Sequence, residues 1–393
     1  MKFVLVGPVY PYRGGIAHYT TMLAQTLAKR GSQFHVVSFR RQYPRWLYPG
    51  KSDRDPSQKP LRVNAEYLLD PLYLWTWWQT ARRIAEWKPD VAIFQWWTTF
   101  WAPAFAVLAF LLRRQGVKVM FVIHNVMPHE PRIWDRWLAR LALGQGHSFL
   151  VQTGREKERL LSILPQAQTT MSPLPIYDMF AGQRIPIAKA KQRLGLPADE
   201  PVALFFGIIR PYKGLRFAIQ AIAELHARDK VVNLLVAGEF WEDVTVYMQL
   251  IEQLGLSAQV KIDNRYIPDE EVGLYFSAAD VFVASYIGGT QSAAVKMALG
   301  FGLPVVISKS LSSADLADET AHRLYWVDPT DVVALADAIE CCLSSHFHPS
   351  NENEILAEAR QKRGNEKELP ASTLSDTDEW DELVTAIETA AIV

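Results

Sequence analysis

The stretch SYIGGTQSAAVKMALGFGLPVVIS (residues 285–308) decides how the chain is read. An apolar strand, DVFVASY (280–286), ends at Tyr286. A small-residue turn, Gly288-Gly289-Thr290-Gln291-Ser292, opens a helix. Gly302-Leu303-Pro304 then leads into a second apolar strand, PVVIS (304–308). Two strands joined through a helix pair in parallel, and a strand covered on both faces reads as an unbroken apolar run. The unit recurs upstream. VALFFG (202–207) runs to a helix beginning near Lys213, and VNLLVAGE (232–239) and QVKID (259–263) are further strands.

Before a Pro-containing linker, the first half repeats the pattern. KFVLVG (2–7) is a strand, Gly14-Gly15 opens a helix to about Arg30, and FHVVSF (34–39) is a second strand. Residues 40–60 read as a surface loop. VAIFQ (91–95), KVMFVIHN (118–125) and SFLVQT (148–153) follow as strands with helices between them. The fold class is therefore α/β, with two tandem doubly wound parallel-sheet domains facing a cleft. We assign 1–178 to the first domain, 179–200 to the linker, 201–345 to the second domain and 346–375 to an irregular segment poor in apolar residues. Trp380, Leu383, Val384 and Ile387 recur at helical spacing, so 376–391 reads as an amphipathic helix with an acidic start.

Composition narrows the function classes. The 393 residues are 49% hydrophobic, which excludes a disordered or collagenous chain. Charge is balanced overall, at 41 Lys and Arg against 42 Asp and Glu, but unevenly placed. Residues 1–184 carry 24 basic and 11 acidic side chains; residues 185–393 carry 17 and 31. Such asymmetry assigns the halves different partners. Two adjacent cysteines, Cys341 and Cys342, exclude a disulfide framework and a Cys-based zinc site. The N-terminus MKFVLVGPVYP does not read as a signal peptide, so a reducing, cytoplasmic location is expected. Residues 91–112 carry no charge over 22 residues, long enough to cross a bilayer. Gln95, Thr98, Thr99 and Pro103 divide them instead into a strand, a turn and a helix.

Three turns are prepared for an anion. In GPVYPYRGGIAHYT (7–20), Gly14 and Gly15 leave backbone N–H groups at a helix N-terminus, where a phosphate or sugar can approach closely. In FFGIIRPYKGL (205–215), the strand ends at Gly207, and Arg210 and Lys213 precede a new helix, as a diphosphate site requires. The 288–292 turn, with Gly289, Thr290, Gln291 and Ser292, adds N–H groups and short hydroxyls. No GxGxxG occurs, which argues against a dinucleotide-dependent oxidoreductase. The basic half carries no recognised nucleic-acid motif, so no nucleic acid is expected as a partner.

Together GGIAHY, the strand-end HN of VIHNVMPHE (122–130), FGIIRPYKG and GTQS…FGLPVV resemble the retaining nucleotide-sugar glycosyltransferases of family 4, also called glycosyl transferases group 1. The resemblance covers the whole chain and implies two Rossmann-like domains in the GT-B arrangement. It implies that the second domain holds the nucleotide diphosphate, the first holds the acceptor, and the last helix crosses back onto the first. It implies no cofactor and no metal, because the basic pair and a helix N-terminus neutralise the leaving diphosphate. It also places His124 near the donor sugar, and Glu239 and Arg265 near the nucleotide. Glu130 reads either as a general base for the acceptor hydroxyl or as the cap of the helix starting near Pro131. Two departures stand out. The family pattern has Arg directly after the strand-end glycine, where this chain has Ile208, so Arg210 serves from a shifted place. The family's two Glu, separated by seven intervening residues, fall on Gly289 and Met297.

The expected chemistry is transfer of a sugar from a nucleotide-sugar donor to an acceptor hydroxyl with retention of configuration. Arg210, Lys213 and the turn N–H groups would stabilise the departing diphosphate. A non-catalytic sugar-nucleotide binder and a sugar-nucleotide epimerase are the alternatives. Seven Trp lie between Trp75 and Trp101, with Arg82 and Arg83 close by. Trp at membrane interfaces and Arg against anionic lipid suggest peripheral docking on the cytoplasmic leaflet, with a lipid-linked sugar as acceptor. Core packing is the competing reading of those aromatics.

Overall fold

The structure, a computed structural model, describes residues 1–128, 132–289, 291–311, 323–344 and 379–392. Glu130, Thr290 and the irregular segment 346–375 lie outside the described residues.

The first sheet contains β1 (Lys2–Val6), β2 (Gln33–Phe39), β3 (Glu66–Leu69), β4 (Val91–Trp96), β5 (Lys118–Ile123), β6 (Ser148–Val151) and β7 (Thr169–Met171). Their order is β3-β2-β1-β4-β5-β6-β7, and every pairing is parallel. Its helices are α1 (Gly15–Lys29), α2 (Leu74–Trp87), α3 (Ala102–Arg113), α4 (Asp135–Leu143) and α5 (Gly154–Ile163). The uncharged run at 91–112 is thus split between β4, all six residues buried, and α3, begun by Pro103 in its first turn, where the lost N–H costs nothing. Among the described residues, no helix is long and apolar enough to cross a membrane.

After α6 (Ile187–Arg193), the second sheet contains β8 (Val202–Phe206), β9 (Asn233–Ala237), β10 (Val260–Asp263), β11 (Val281–Ala284), β12 (Val305–Ser308) and β13 (Leu324–Val327), in the order β10-β9-β8-β11-β12-β13, again all parallel. Its helices are α7 (Leu215–Ala227), α8 (Val244–Gln253), α9 (Asp269–Ala278), α10 (Ala293–Gly300) and α11 (Val332–Ser344). The final helix, α12 (Glu379–Ile392), packs on α1, β6 and β7 of the first domain. Trp380 donates from its indole to the Ile176 carbonyl at 3.1 Å, and Arg30 pairs with Glu388 at 3.1 Å.

Three strands carry no clear sequence signal: β3 (EYLL), β7 (TTM) and β13 (LYWV). Each is a sheet edge, short and only partly covered, so it needs no continuous apolar run. In both sheets the strand order reverses beside the first strand, between β1 and β4 and between β8 and β11. Ligands of such sheets bind outside the carboxyl ends at that point. The candidate site lies there.

Candidate functional site

In the second domain, β8 ends at Phe206 and Gly207 turns the chain at φ +105°. A short 3-10 turn, Pro211–Lys213, then brings the chain to Gly214 and α7. Gly214 has φ +67°, and a Cβ there would lie 2.0 Å from the Ser285 carbonyl oxygen at the end of β11. Only glycine permits that approach. Ser285 completes the clamp by donating to the Gly214 carbonyl at 3.0 Å.

This turn seats Lys213 at the reversal point with only 8% of its surface exposed. Its ammonium lies 5.3 Å from the centre of the Tyr286 ring and beside Gly207, where a Cβ would come within 2.9 Å of it. No described carboxylate pairs with it, and burial pushes its pKa below the ordinary lysine value. The Tyr286 hydroxyl is 3.1 Å from Ser292 Oγ, which caps α10 by accepting from the Val295 N–H. Lys213 and the α10 N-terminus are therefore joined through one tyrosine, and both present positive charge. Arg210 lies over the rings of Tyr212 and Trp241, 5.5 and 5.8 Å from their centres. Gly289 turns at φ +117°, and the side-chain nitrogen of Gln291 is buried without a hydrogen-bond partner among the described residues.

The first domain supplies the facing wall. Gly14 precedes α1 at φ +107°, and a Cβ on Gly15 would sit 3.0 Å from Ala293 Cβ, the start of α10. His124, just after β5, donates its backbone N–H to Trp96 and holds Gln95 Oε1 at 2.7 Å from Nε2. Its ring meets Tyr19 edge-on at 4.8 Å. Burial lowers its pKa to about 3, so the imidazole is neutral at physiological pH.

Two sequence-predicted nucleotide contacts are engaged by protein groups. Glu239, after β9, pairs with Arg13 at 2.5 Å and accepts the Lys51 N–H at 2.6 Å. Arg265 bonds Asp263 at 3.1 Å, Glu271 through two nitrogens and the Tyr275 hydroxyl at 2.9 Å. These partners compensate its charge locally, although the side chain stays partly exposed.

His18, Asp55 and Asp269 place ligand atoms within 4.8 Å of one another and are all buried. Their chemistry is already assigned. His18 Nε2 lies 2.9 Å from Asp269 Oδ1, Asp269 Oδ2 accepts the Leu61 N–H at 3.1 Å, and Asp55 accepts from Ser57. Asp269 begins α9, so the cluster fastens the first domain to the second.

Arg13, Tyr212, Trp241 and His18 were not singled out by the motif reading. Arg13 directly precedes Gly14-Gly15, and that adjacency was the available signal. The aromatic expectation is corrected in part. Trp77, Trp96 and Trp101 are core residues, because they face inward from α2, from β4 and from just before α3. Trp75 and Trp78 are exposed on α2, as are Phe110 on α3 and Trp137 on α4, with Trp134 just before α4. These three helices pack side by side, α2 on α3 and α3 on α4.

Comparisons with known proteins follow the same division of the chain. The family described as Glycosyltransferase Family 4 matches residues 13–173, and Glycosyl transferases group 1 matches residues 186–363. A GDP-mannose:glycolipid 4-beta-D-mannosyltransferase of Xanthomonas campestris pv. campestris is 27% identical over 227 residues, 56% of this chain and 58% of that protein. A D-inositol 3-phosphate glycosyltransferase of Corynebacterium efficiens is 31% identical over 160 residues, 39% of this chain and 37% of its own. The chain thus matches less than two thirds of the length of these relatives. HepE of Anabaena, solved with UDP and glucose, superposes with a TM-score of 0.65 at 16% identity, covering 92% of this chain and 99% of that one; this likeness is one of fold. Two matched halves, two doubly wound sheets and a shared cleft carry one conclusion: the chain belongs to the two-domain GT-B glycosyltransferases of group 1 and family 4.

Proposed function

We propose that the protein transfers a sugar from a nucleotide-sugar donor to an acceptor hydroxyl. The observation that carries this reading is Lys213, a buried ammonium without a carboxylate partner among the described residues, coupled through Tyr286 to the α10 N-terminus. A buried cation of this kind is stabilised by a ligand anion, and a diphosphate spans both groups. Arg210 and the N–H groups at the start of α10 add to the charge facing the leaving diphosphate. Those protein groups supply the neutralisation, so the reading requires no metal and no cofactor.

Under this reading the acceptor hydroxyl attacks the anomeric carbon as the sugar–phosphate bond breaks. The transition state has oxocarbenium character beside a growing diphosphate charge. With transfer on one face, the departing phosphate oxygen takes the hydroxyl proton. Neutral His124 and the Gly14-Gly15 turn border the sugar. Retention is read from the product's anomeric configuration by NMR, and a product inverted relative to the donor removes it. The beta linkage in the Xanthomonas relative's name makes this measurement decisive.

That relative's name also pairs a nucleotide sugar with a glycolipid. With the exposed aromatics of α2, α3 and α4 and the basic first domain, it supports a lipid-linked acceptor reached from the cytoplasmic face of a membrane. The experiment is a thermal-shift screen against sugar nucleotides and nucleoside diphosphates, followed by turnover assays. Stabilisation of the wild type and its loss in Lys213→Ala are expected. Wild-type turnover in Lys213→Ala overturns the diphosphate assignment. Binding without nucleoside diphosphate release identifies a non-catalytic binder, and sugar-nucleotide interconversion without acceptor identifies an epimerase.

A further inference from the structure

A second basic cavity lies beside the candidate donor site, and its cations come from the other domain. It encloses about 320 Å³. Arg136 of α4 and Arg155 and Arg159 of α5 line one side, with Tyr212 and Gly288-Gly289 of the second domain opposite. No carboxylate lines it among the described residues. Arg136 donates to the Ser162 carbonyl at 2.8 Å and Arg155 to the Gly289 carbonyl at 3.2 Å. Both partners are neutral, both arginines are exposed, and neither has a carboxylate partner among the described residues. Arg159 pairs with the buried Glu156 at 2.6 Å, whose other oxygen accepts the Val126 N–H.

A cavity lined by two guanidinium groups, with no carboxylate on either among the described residues, favours a doubly charged anion of phosphate geometry, which the planar Arg fork matches. The donor diphosphate is assigned to Lys213 and the α10 N-terminus, in the second domain. Gly288-Gly289 belongs to the turn that opens α10, so an anion held by the arginines lies across that turn from the donor. Arg136 shares α4 with the exposed Trp137 and Leu141, so a hydrocarbon attached to the anion has an apolar surface beside it.

We propose that Arg136, Arg155 and Arg159 form an acceptor site for a phosphate ester, holding the phosphate while the acceptor hydroxyl reaches the donor sugar. The proposal rests on the glycosyltransferase reading for its function, but the anion site stands or falls on its own. Arg155, bonded to the Gly289 carbonyl, also ties that anion to the closed arrangement of the domains.

The test measures binding to the full chain by calorimetry, with farnesyl phosphate, glucose 6-phosphate and the uncharged controls farnesol and glucose. UDP and GDP are titrated in parallel. Expected is binding of at least one phosphate ester, weakened at least tenfold in Arg136→Gln/Arg155→Gln, with nucleoside diphosphate binding retained. Preference for farnesyl phosphate identifies a lipid headgroup, and preference for glucose 6-phosphate a soluble sugar phosphate. Phosphate-ester binding without any nucleoside diphosphate binding supports the anion site and refutes the donor reading. Failure of both esters to bind, equal binding by the double variant, or equal binding of the uncharged controls overturns the proposal. Parallel loss of nucleoside diphosphate binding in the double variant also overturns it, since the arginines would then belong to the donor site.

Discussion

Arg13 of the first domain and Glu239 of the second meet at 2.5 Å across the cleft, with 4% and 2% of their side chains exposed. Arg13 also donates to the Tyr48 hydroxyl at 3.1 Å and lies 4.9 Å from the centre of the Tyr266 ring. Family resemblance assigns Glu239 to the nucleotide, yet here Arg13 and the Lys51 N–H use both its carboxylate oxygens. A donor contact through Glu239 therefore exchanges for the ion pair and couples donor binding to the domain contact.

Breaking one side of a buried pair leaves an uncompensated charge, at a cost of about 3–5 kcal/mol. Glu239→Gln and Arg13→Met are each expected to lower stability by an amount of that order in chemical denaturation. The double variant should lose clearly less than the sum. Strict additivity would show that the two side chains do not act as a pair.

Lys213 gives the donor site an alkaline limit. Burial holds its pKa below the ordinary lysine value, whereas a bound diphosphate favours the charged ammonium. Binding therefore takes up a proton once pH exceeds the depressed pKa, and affinity falls as pH rises further. Nucleoside diphosphate dissociation constants between about pH 7 and 10 should climb in the wild type, below the usual lysine range of about 10.4. They should climb less in Lys213→Arg, whose guanidinium stays charged. A flat wild-type profile would remove the lysine from the site.

The sequence makes these local features legible and hides the ones that depend on domain contact. Central strands such as β4 and β8 are buried along their whole length, so their unbroken apolar runs announce them. Lys213 is legible because it follows a strand end within seven residues. The Arg13–Glu239 pair is not, since the two lie far apart in the chain and meet only when the domains close. Trp77 and Trp78 show why indole burial resists reading: successive residues of α2 are turned about 100° from each other, which puts Trp77 in the core and leaves Trp78 in solvent. The cluster of exposed aromatics becomes visible only when α2, α3 and α4 are set side by side.

His124 adds an acid limit to stability. Its pKa is about 3 when folded, through burial, against about 6.5 in the unfolded chain. Between those values the unfolded state binds a proton that the folded state does not. This contribution is constant above about pH 6.5 and turns against the fold as pH drops, by about 1.4 kcal/mol per unit. His124→Gln lacks the titrating group. Its unfolding free energy should fall less steeply between about pH 6 and 4 than that of the wild type. Parallel slopes would mean that the imidazole is hydrated enough to charge in the folded state.

The exposed aromatic face gives the membrane reading its test. Trp78 and Trp137 are 55% and 64% exposed on helices linked through α3. If they enter a lipid interface beside the arginines of the same domain, flotation with anionic liposomes should be strong, salt-sensitive and weak with neutral lipid. Trp78→Ser/Trp137→Ser should float several-fold less while nucleoside diphosphate binding is retained. Undiminished flotation of that variant would place the contact elsewhere, and absence of wild-type flotation would refute docking.

Gly15 sets local preference against domain contact. It is the first residue of α1 and does not need a left-handed backbone, and at such a site alanine ordinarily stabilises by about 0.4–1 kcal/mol by restricting the unfolded chain. Judged on the first domain alone, Gly15→Ala should be neutral or stabilising. Across the cleft, however, the added methyl would stand 3.0 Å from Ala293 Cβ, inside the optimal carbon separation of about 3.5–4.0 Å. Backbone displacement of one domain relieves that overlap, and it shifts α1 against the α10 N-terminus that faces the donor. Gly15→Ala is expected to keep or raise Tm in the absence of ligand while weakening nucleoside diphosphate binding several-fold. Ala293→Gly removes the opposing methyl, so Gly15→Ala/Ala293→Gly should recover most of the lost affinity. An affinity unchanged by Gly15→Ala would show that the donor site forms without this contact, and a loss that Ala293→Gly fails to rescue would locate the cause within the first domain.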